Sequence, residues 1–177
     1  PLDLEWIVGY WRDHGRLGAL HQMMAASLEA RLQEPNSQRR KKSTLSIDVA
    51  RRALNRVGAA LVLTGEETIS VSGDIGGGEG ELAGLSLDRT LSDHPEDVVA
   101  SLLRRPVFDP AQQARVRFHS DNEGAVRSFL AARWLQERLA ANCPPQAVLD
   151  LLFTETYGLK LVRPDMADTA AWLAISR

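Results

Sequence analysis

Four histidines, His14, His21, His94 and His119, and a single cysteine, Cys143, are the residues of this chain best suited to metal ligation or nucleophilic chemistry. They stand in separate segments, with no H-E-x-x-H pair and no paired cysteines, so no local signature of a metal site is present. Serine, histidine and aspartate all occur, but without the G-x-S-x-G elbow that would expose a nucleophile. The run G-D-I-G-G-G-E-G-E-L-A-G, Gly73 to Gly84, has the composition of a phosphate cradle. No lysine follows its glycines, and Glu79 and Glu81 would repel an anion, so it reads as a surface loop. The adjacent acids Glu66 and Glu67, or Glu96 and Asp97, read as loop solvation and helix-terminal charge. The chain by itself is expected to have no catalytic residues and no metal site.

His119 stands apart because of what surrounds it. Arg115, Val116, Arg117 and Phe118 alternate polar and apolar as a half-buried strand does, and the polar run Ser120 to Asn122 supplies N-cap chemistry. Val126, Phe129, Leu130, Leu135 and Leu139 then fall near i, i+3, i+4 spacing, with Arg127, Arg133, Glu137 and Arg138 largely on the other side. A hairpin therefore feeds an amphipathic helix, and His119 lies at the junction.

The segment F-H-S-D-N-E-G-A-V-R-S-F-L-A-A-R-W-L resembles the one that closes the winged-helix domain of NACHT-type STAND ATPases, the nucleotide switches of animal inflammasome receptors and bacterial antiviral defence proteins. Val126, Phe129, Leu130, Ala131 and Ala132 carry the match, and Trp134 and Leu135 continue it. The resemblance implies a histidine at this junction that senses ADP. Counting back from Phe129 puts the family's histidine on Glu123 and its glutamate on Ser128, whereas His119 takes the role if the loop is longer. An imidazole can donate to a β-phosphate and a carboxylate would repel it, so chemistry favours His119 and register favours Glu123. Pro1, in P-L-D-L, resembles the proline that opens the family's small helical domain and approaches the adenine.

The resemblance further implies ATP or ADP with magnesium in a longer parent protein, and neither bound by these residues alone. An ATPase core upstream and helical repeats downstream in the same chain would be the partners, with homo-oligomerisation on activation. The chain begins at Pro1 without a methionine and is expected to be a piece of such a protein.

The elements that must position the junction follow from periodicity and punctuation. Leu2 to His14 is expected to be a helix with Leu4, Ile7, Val8 and Trp11 on one face, widened by Trp6 and Tyr10, and Gly15 as its stop. A second helix from Leu17 to Gln33 completes an antiparallel pair, a small helical domain over 1–36. The polar linker P-N-S-Q-R-R-K-K, Pro35 to Lys42, marks a boundary. A winged-helix domain over 43–140 is expected to hold a helix from Ile47 to Leu63, capped by Ser43, Thr44 or Ser46, and a strand from Thr68 to Ser72. A third helix near Leu85 to Leu91 precedes a short one from Val98 to Leu103, capped by Ser92 or Asp93 and stopped by Pro106. Two strands joined through Asp109 to Ala114 form the wing. Beyond it, over 143–177, a helix ending at Tyr157 and Gly158 and a last helix from Pro164 read as the start of a second helical or α-solenoid region. The fold class is thus mainly α with a short β-hairpin.

Hydrophobic residues at 44% and charged residues at 25% describe a chain able to bury a core. A formal net charge of −2 argues against nucleic acid or an anionic membrane as partner of the whole chain. No apolar run is long enough to span a bilayer and these residues show no signal-peptide pattern, and with one cysteine a reducing, cytoplasmic setting is expected. Two other functions fit the residues: a winged-helix DNA-binding module using Arg51, Arg52, Arg56 or the Arg39 to Lys42 run on phosphates, and a helical interaction scaffold with no ligand.

Overall fold

The structure is a computed structural model, and it describes residues 4–33, 45–71, 85–112, 114–119 and 123–176. The linker Pro35 to Lys42, the glycine run Gly73 to Gly84, the caps Ser43, Thr44 and Ser120 to Asn122, and Pro1 all lie outside the described residues. The fold is mainly helical. Among the described residues it has eight α-helices, a three-stranded antiparallel sheet and a separate two-stranded hairpin.

Helices α1 (Leu4–His14) and α2 (Leu20–Leu32) form the expected antiparallel pair. Gly15 ends α1 at φ 65°, where only glycine avoids a steric cost. The buried face of α1 is not the one periodicity suggested. Trp6 and Tyr10 point inward with Met23, Met24, Leu28 and Leu32 of α2, whereas Leu4, Val8 and Trp11 are exposed. Burial of apolar area sets the rotation of a helix, and the two inward aromatics remove large surfaces from water.

Helix α3 (Ile47–Thr64) starts at Ser46, whose Oγ accepts from the Val49 amide at 3.3 Å, and stops at Gly65 in the left-handed region, φ 71°. Ala50, Ala53, Leu54, Val57 and Leu61 give it a buried stripe. It then leads to β1 (Ile69–Ser70), α4 (Leu87–Thr90), α5 (Glu96–Leu103), β2 (Phe108–Pro110), β3 (Arg115–Phe118) and α6 (Glu123–Ala140). The strand order is β1-β3-β2, antiparallel throughout, with Ile69 opposite Val116 and Phe108 opposite Phe118. Helix, strand, two helices, then a hairpin whose last strand lies between the other two is the order expected above for a winged helix. The short α4 fills the place near Leu85 to Leu91. The cap of α5 is Pro95 rather than Ser92 or Asp93, and Asp109 lies within β2 rather than in the connection.

Helix α6 packs along α3. Val126, Phe129, Leu130, Ala131, Ala132 and Leu135 are buried, as the amphipathic spacing requires. Between the two helices Asn55 is buried, and its Nδ2 donates to Glu137 Oε1 at 2.8 Å, which satisfies an amide that would otherwise destabilise the interface.

The C-terminal part departs from the sequence-based expectation. Helix α7 (Pro145–Leu152) ends five residues before Tyr157, and β4 (Phe153–Thr156) pairs antiparallel with β5 (Leu159–Val162). Tyr157 at φ 54° and Gly158 at φ 74° form the two-residue turn with both φ positive that matches hairpin twist. The β-branched residues Thr154, Thr156 and Val162 favour strand over further helical turns. A 3-10 turn at Pro164–Met166 leads into α8 (Ala167–Ile175). Val148, Leu152 and Met166 cluster on Leu135 of α6, and Trp172 meets Phe129 edge-on at 5.3 Å. A hairpin between α7 and α8 breaks the helix-on-helix succession expected of an α-solenoid.

Candidate functional site

The outward face of β3 is built by strand alternation. Phe118 turns inward and stacks on Phe108 at 5.3 Å, so Arg115, Arg117 and His119 share the opposite side. Each of the three meets a carboxylate. Arg115 Nη2 is 3.1 Å from Glu66 Oε2, and its Nε donates to Thr68 Oγ1 at 2.6 Å. Arg117 Nη1 lies 3.5 Å from Glu123 Oε1. His119 Nδ1 is 2.7 Å from Asp109 Oδ1 on the neighbouring strand.

His119 is held at its backbone as well. Its amide donates to the Val107 carbonyl at 2.9 Å, extending the sheet ladder, and its carbonyl accepts from Arg31 Nη1 of α2. The same guanidinium pairs with Glu5 of α1 through Nη2. Arg31 therefore joins α1, α2 and the wing at one point. The His119 side chain is 49% exposed, and among the described residues no protein group is bonded to Nε2. The corner holds a half-exposed imidazole on a rigid support.

Of the two residues weighed for the sensing position, His119 is thus exposed and oriented, whereas Glu123 opens α6 and is engaged by Arg117. The structure does not bring the four histidines together. His14 stacks on Tyr10 at 4.0 Å, and His94 lies between α4 and α5. Among the described residues no group of three or more His, Cys, Asp or Glu side chains is placed to hold a metal ion. Sequence reasoning missed Asp109 and Arg31. The strand alternation F-D-P could have put Asp109 on the His119 face, but nothing near Arg31 in sequence points 88 residues ahead.

Two of the arginines considered for DNA, Arg51 and Arg56, are engaged with carboxylates. Arg51 Nη2 lies 2.6 Å from Asp48, and Arg56 pairs with Asp93. Desolvation is the largest single influence on the Asp93 carboxyl and raises it, but its own backbone amide, Arg56 and His94 together outweigh this and hold it below the usual carboxylate range. In the place where a winged helix carries its recognition helix, α5 exposes Glu96, Asp97 and Ala100. That face repels phosphate.

A cleft of about 210 Å³ between α2, α3 and α6 is lined by Leu28, Leu54 and Phe129 together with Arg51 and Arg133. It is smaller than the roughly 300–1,000 Å³ of ordinary ligand pockets. Among the described residues no helix is long and apolar enough to cross a membrane.

Comparison of the chain with protein-family models, with curated proteins and with solved structures finds no match.

Proposed function

We propose that this chain is the regulatory helical and winged-helix segment of a STAND-type NTPase of the NACHT kind, which couples nucleotide state to oligomerisation and defence signalling in the cytoplasm. One observation carries it: a winged-helix topology that ends in an exposed, carboxylate-oriented histidine, His119, at the junction where the resemblance expects an ADP-sensing imidazole. In the closed state the wing corner would lie against ADP held by an ATPase core, and ATP with a trigger would favour the open, oligomeric arrangement. A ligand shifts such an equilibrium only by its different affinity for the two states, and one donor to the β-phosphate supplies a difference of that kind. Helix α1 would turn its exposed Leu4, Val8 and Trp11 toward the core.

The residues present offer a sensing contact and no phosphate cradle, so the nucleotide and magnesium would be held by the core. The chain alone is accordingly expected to show no measurable ATP binding or hydrolysis by calorimetry and phosphate release. In a protein that carries the core, His119→Ala should weaken ADP about tenfold, the loss of one charge-assisted hydrogen bond, and raise basal signalling. Unchanged ADP affinity together with unchanged basal activity would overturn the proposal.

The alternative of a DNA-binding winged helix finds no support in α5 or in the paired arginines. Duplex binding at physiological salt should be undetectable in a mobility-shift titration. Binding that falls steeply with added salt would reverse this assignment.

A further inference from the structure

Asp109 is a carboxylate, an acceptor only, so the 2.7 Å contact requires the proton of a neutral His119 ring to sit on Nδ1. Nε2 is then the nitrogen presented outward, a lone pair when the ring is neutral and a donor when it is protonated. Cross-strand pairing sets Asp109 opposite Arg117, two residues before His119 on the same face, so the carboxylate sits between a guanidinium and an imidazole. Arg117 is turned toward Glu123, which leaves Asp109 for the imidazole. The peptide at His119 is held from both sides, by Val107 on the sheet and by Arg31 of α2. Arg31 is mostly buried, at 15% side-chain exposure, and its second nitrogen is committed to Glu5. A planar guanidinium fixed at both ends transmits a change in the position of its helix more directly than a flexible ammonium would.

We propose that Asp109 and Arg31 are positioning residues for His119: Asp109 fixes the ring's tautomer and direction, and Arg31 ties the His119 carbonyl to the α1–α2 pair. The docking of that pair on the wing then decides where Nε2 is presented, and with Nδ1–H fixed by Asp109 that nitrogen donates to an anion only when the ring is protonated. The regulatory consequence rests on His119 being the nucleotide-sensing group proposed above. The positioning itself does not need nucleotide and is tested without it.

Long-range proton–nitrogen NMR spectra of the 177-residue chain distinguish protonated from unprotonated ring nitrogens, and His14, His21 and His94 serve as internal references. At a pH where His119 is neutral, its Nδ1–H form should dominate. Asp109→Ala should abolish that dominance and restore the mixture of free histidine, in which Nε2–H prevails. Asp109→Asn serves if the alanine variant unfolds; its amide can accept or donate, so the Nδ1–H fraction should fall. Arg31→Gln should lower the Nδ1–H fraction of His119 and leave His94 unchanged, a response that a merely stabilising arginine would not give. An Nε2–H form in the parent chain, or an Nδ1–H fraction indifferent to both Asp109 and Arg31, overturns the positioning. If the tautomer responds but Asp109→Ala leaves ADP affinity intact in a protein bearing the ATPase core, the positioning stands and the nucleotide function falls.

Discussion

Gly58→Val is expected to abolish cooperative folding of this chain. A Cβ at position 58 would stand 2.4 Å from the Leu130 Cβ, 3.2 Å from Leu130 Cδ1 and 3.3 Å from the Arg127 carbonyl oxygen. A Cβ is one bond from the backbone and cannot swing aside, so relief requires α3 and α6 to separate. That crossing is the centre of the fold, with Ala53, Leu54, Val57 and Leu61 on one side and Phe129, Leu130 and Ala132 on the other. Gly58→Ala isolates the steric term. Helix propensity alone would favour alanine by about 1 kcal/mol, whereas overpacking a dense core costs about 1–3 kcal/mol. The clash should win, and the urea midpoint followed by circular dichroism should fall. An alanine variant as stable as the parent would show that the helices do not approach this closely.

The second large effect is expected at Phe129. Its ring is buried on α6 and meets Trp172 of α8 edge-on at 5.3 Å, with planes at 78°. Phe129→Ala removes the buried ring and leaves a cavity, a change that costs about 3–5 kcal/mol in well-packed cores. Of the total stability of about 5–15 kcal/mol usual for a domain, this is a large share. Part of the loss is the aromatic pair itself, about 0.5–1.5 kcal/mol. Because Trp172 is the aromatic of α8 in contact with Phe129, amide exchange in α8 should rise before that in α3. Phe129→Leu, which fills most of the space, should recover more than half of the loss. A chemical-denaturation difference below about 1 kcal/mol for the alanine variant would mean the site collapses without penalty.

Both residues illustrate how far the chain could be understood before its fold was known. Phe129 and Leu130 declared themselves by helical spacing and by resemblance to the closing helix of a NACHT winged-helix domain. Gly58 gave no such sign. Within a helix, glycine is only a weak helix former, and its reason for being there is a neighbour 72 positions away that no local pattern names.

What the sequence determined by itself is mostly local. The 3.6-residue stripes of α3 and α6, the period-2 alternation of Arg115 to Phe118, a serine or threonine cap before Ile47 and the stop at Gly15 follow from short-range sterics and hydrogen bonding. Those signals were enough to place His119 at a hairpin-to-helix junction. Tertiary structure decided the rest. Which stripe of α1 turns inward depended on the surface α2 offered, so Trp6 and Tyr10 are buried while Leu4, Val8 and Trp11 are not. Phe153 to Val162 could propagate a helix or pair with itself, and the positive φ values of Tyr157 and Gly158 closed it as a hairpin. The contacts that define the candidate site, Asp109 to the His119 ring and Arg31 to its carbonyl, join separate elements. Such contacts form only once the sheet register and the docking of α2 are set, because a side chain's partner across a fold is fixed by packing and not by its neighbours in sequence.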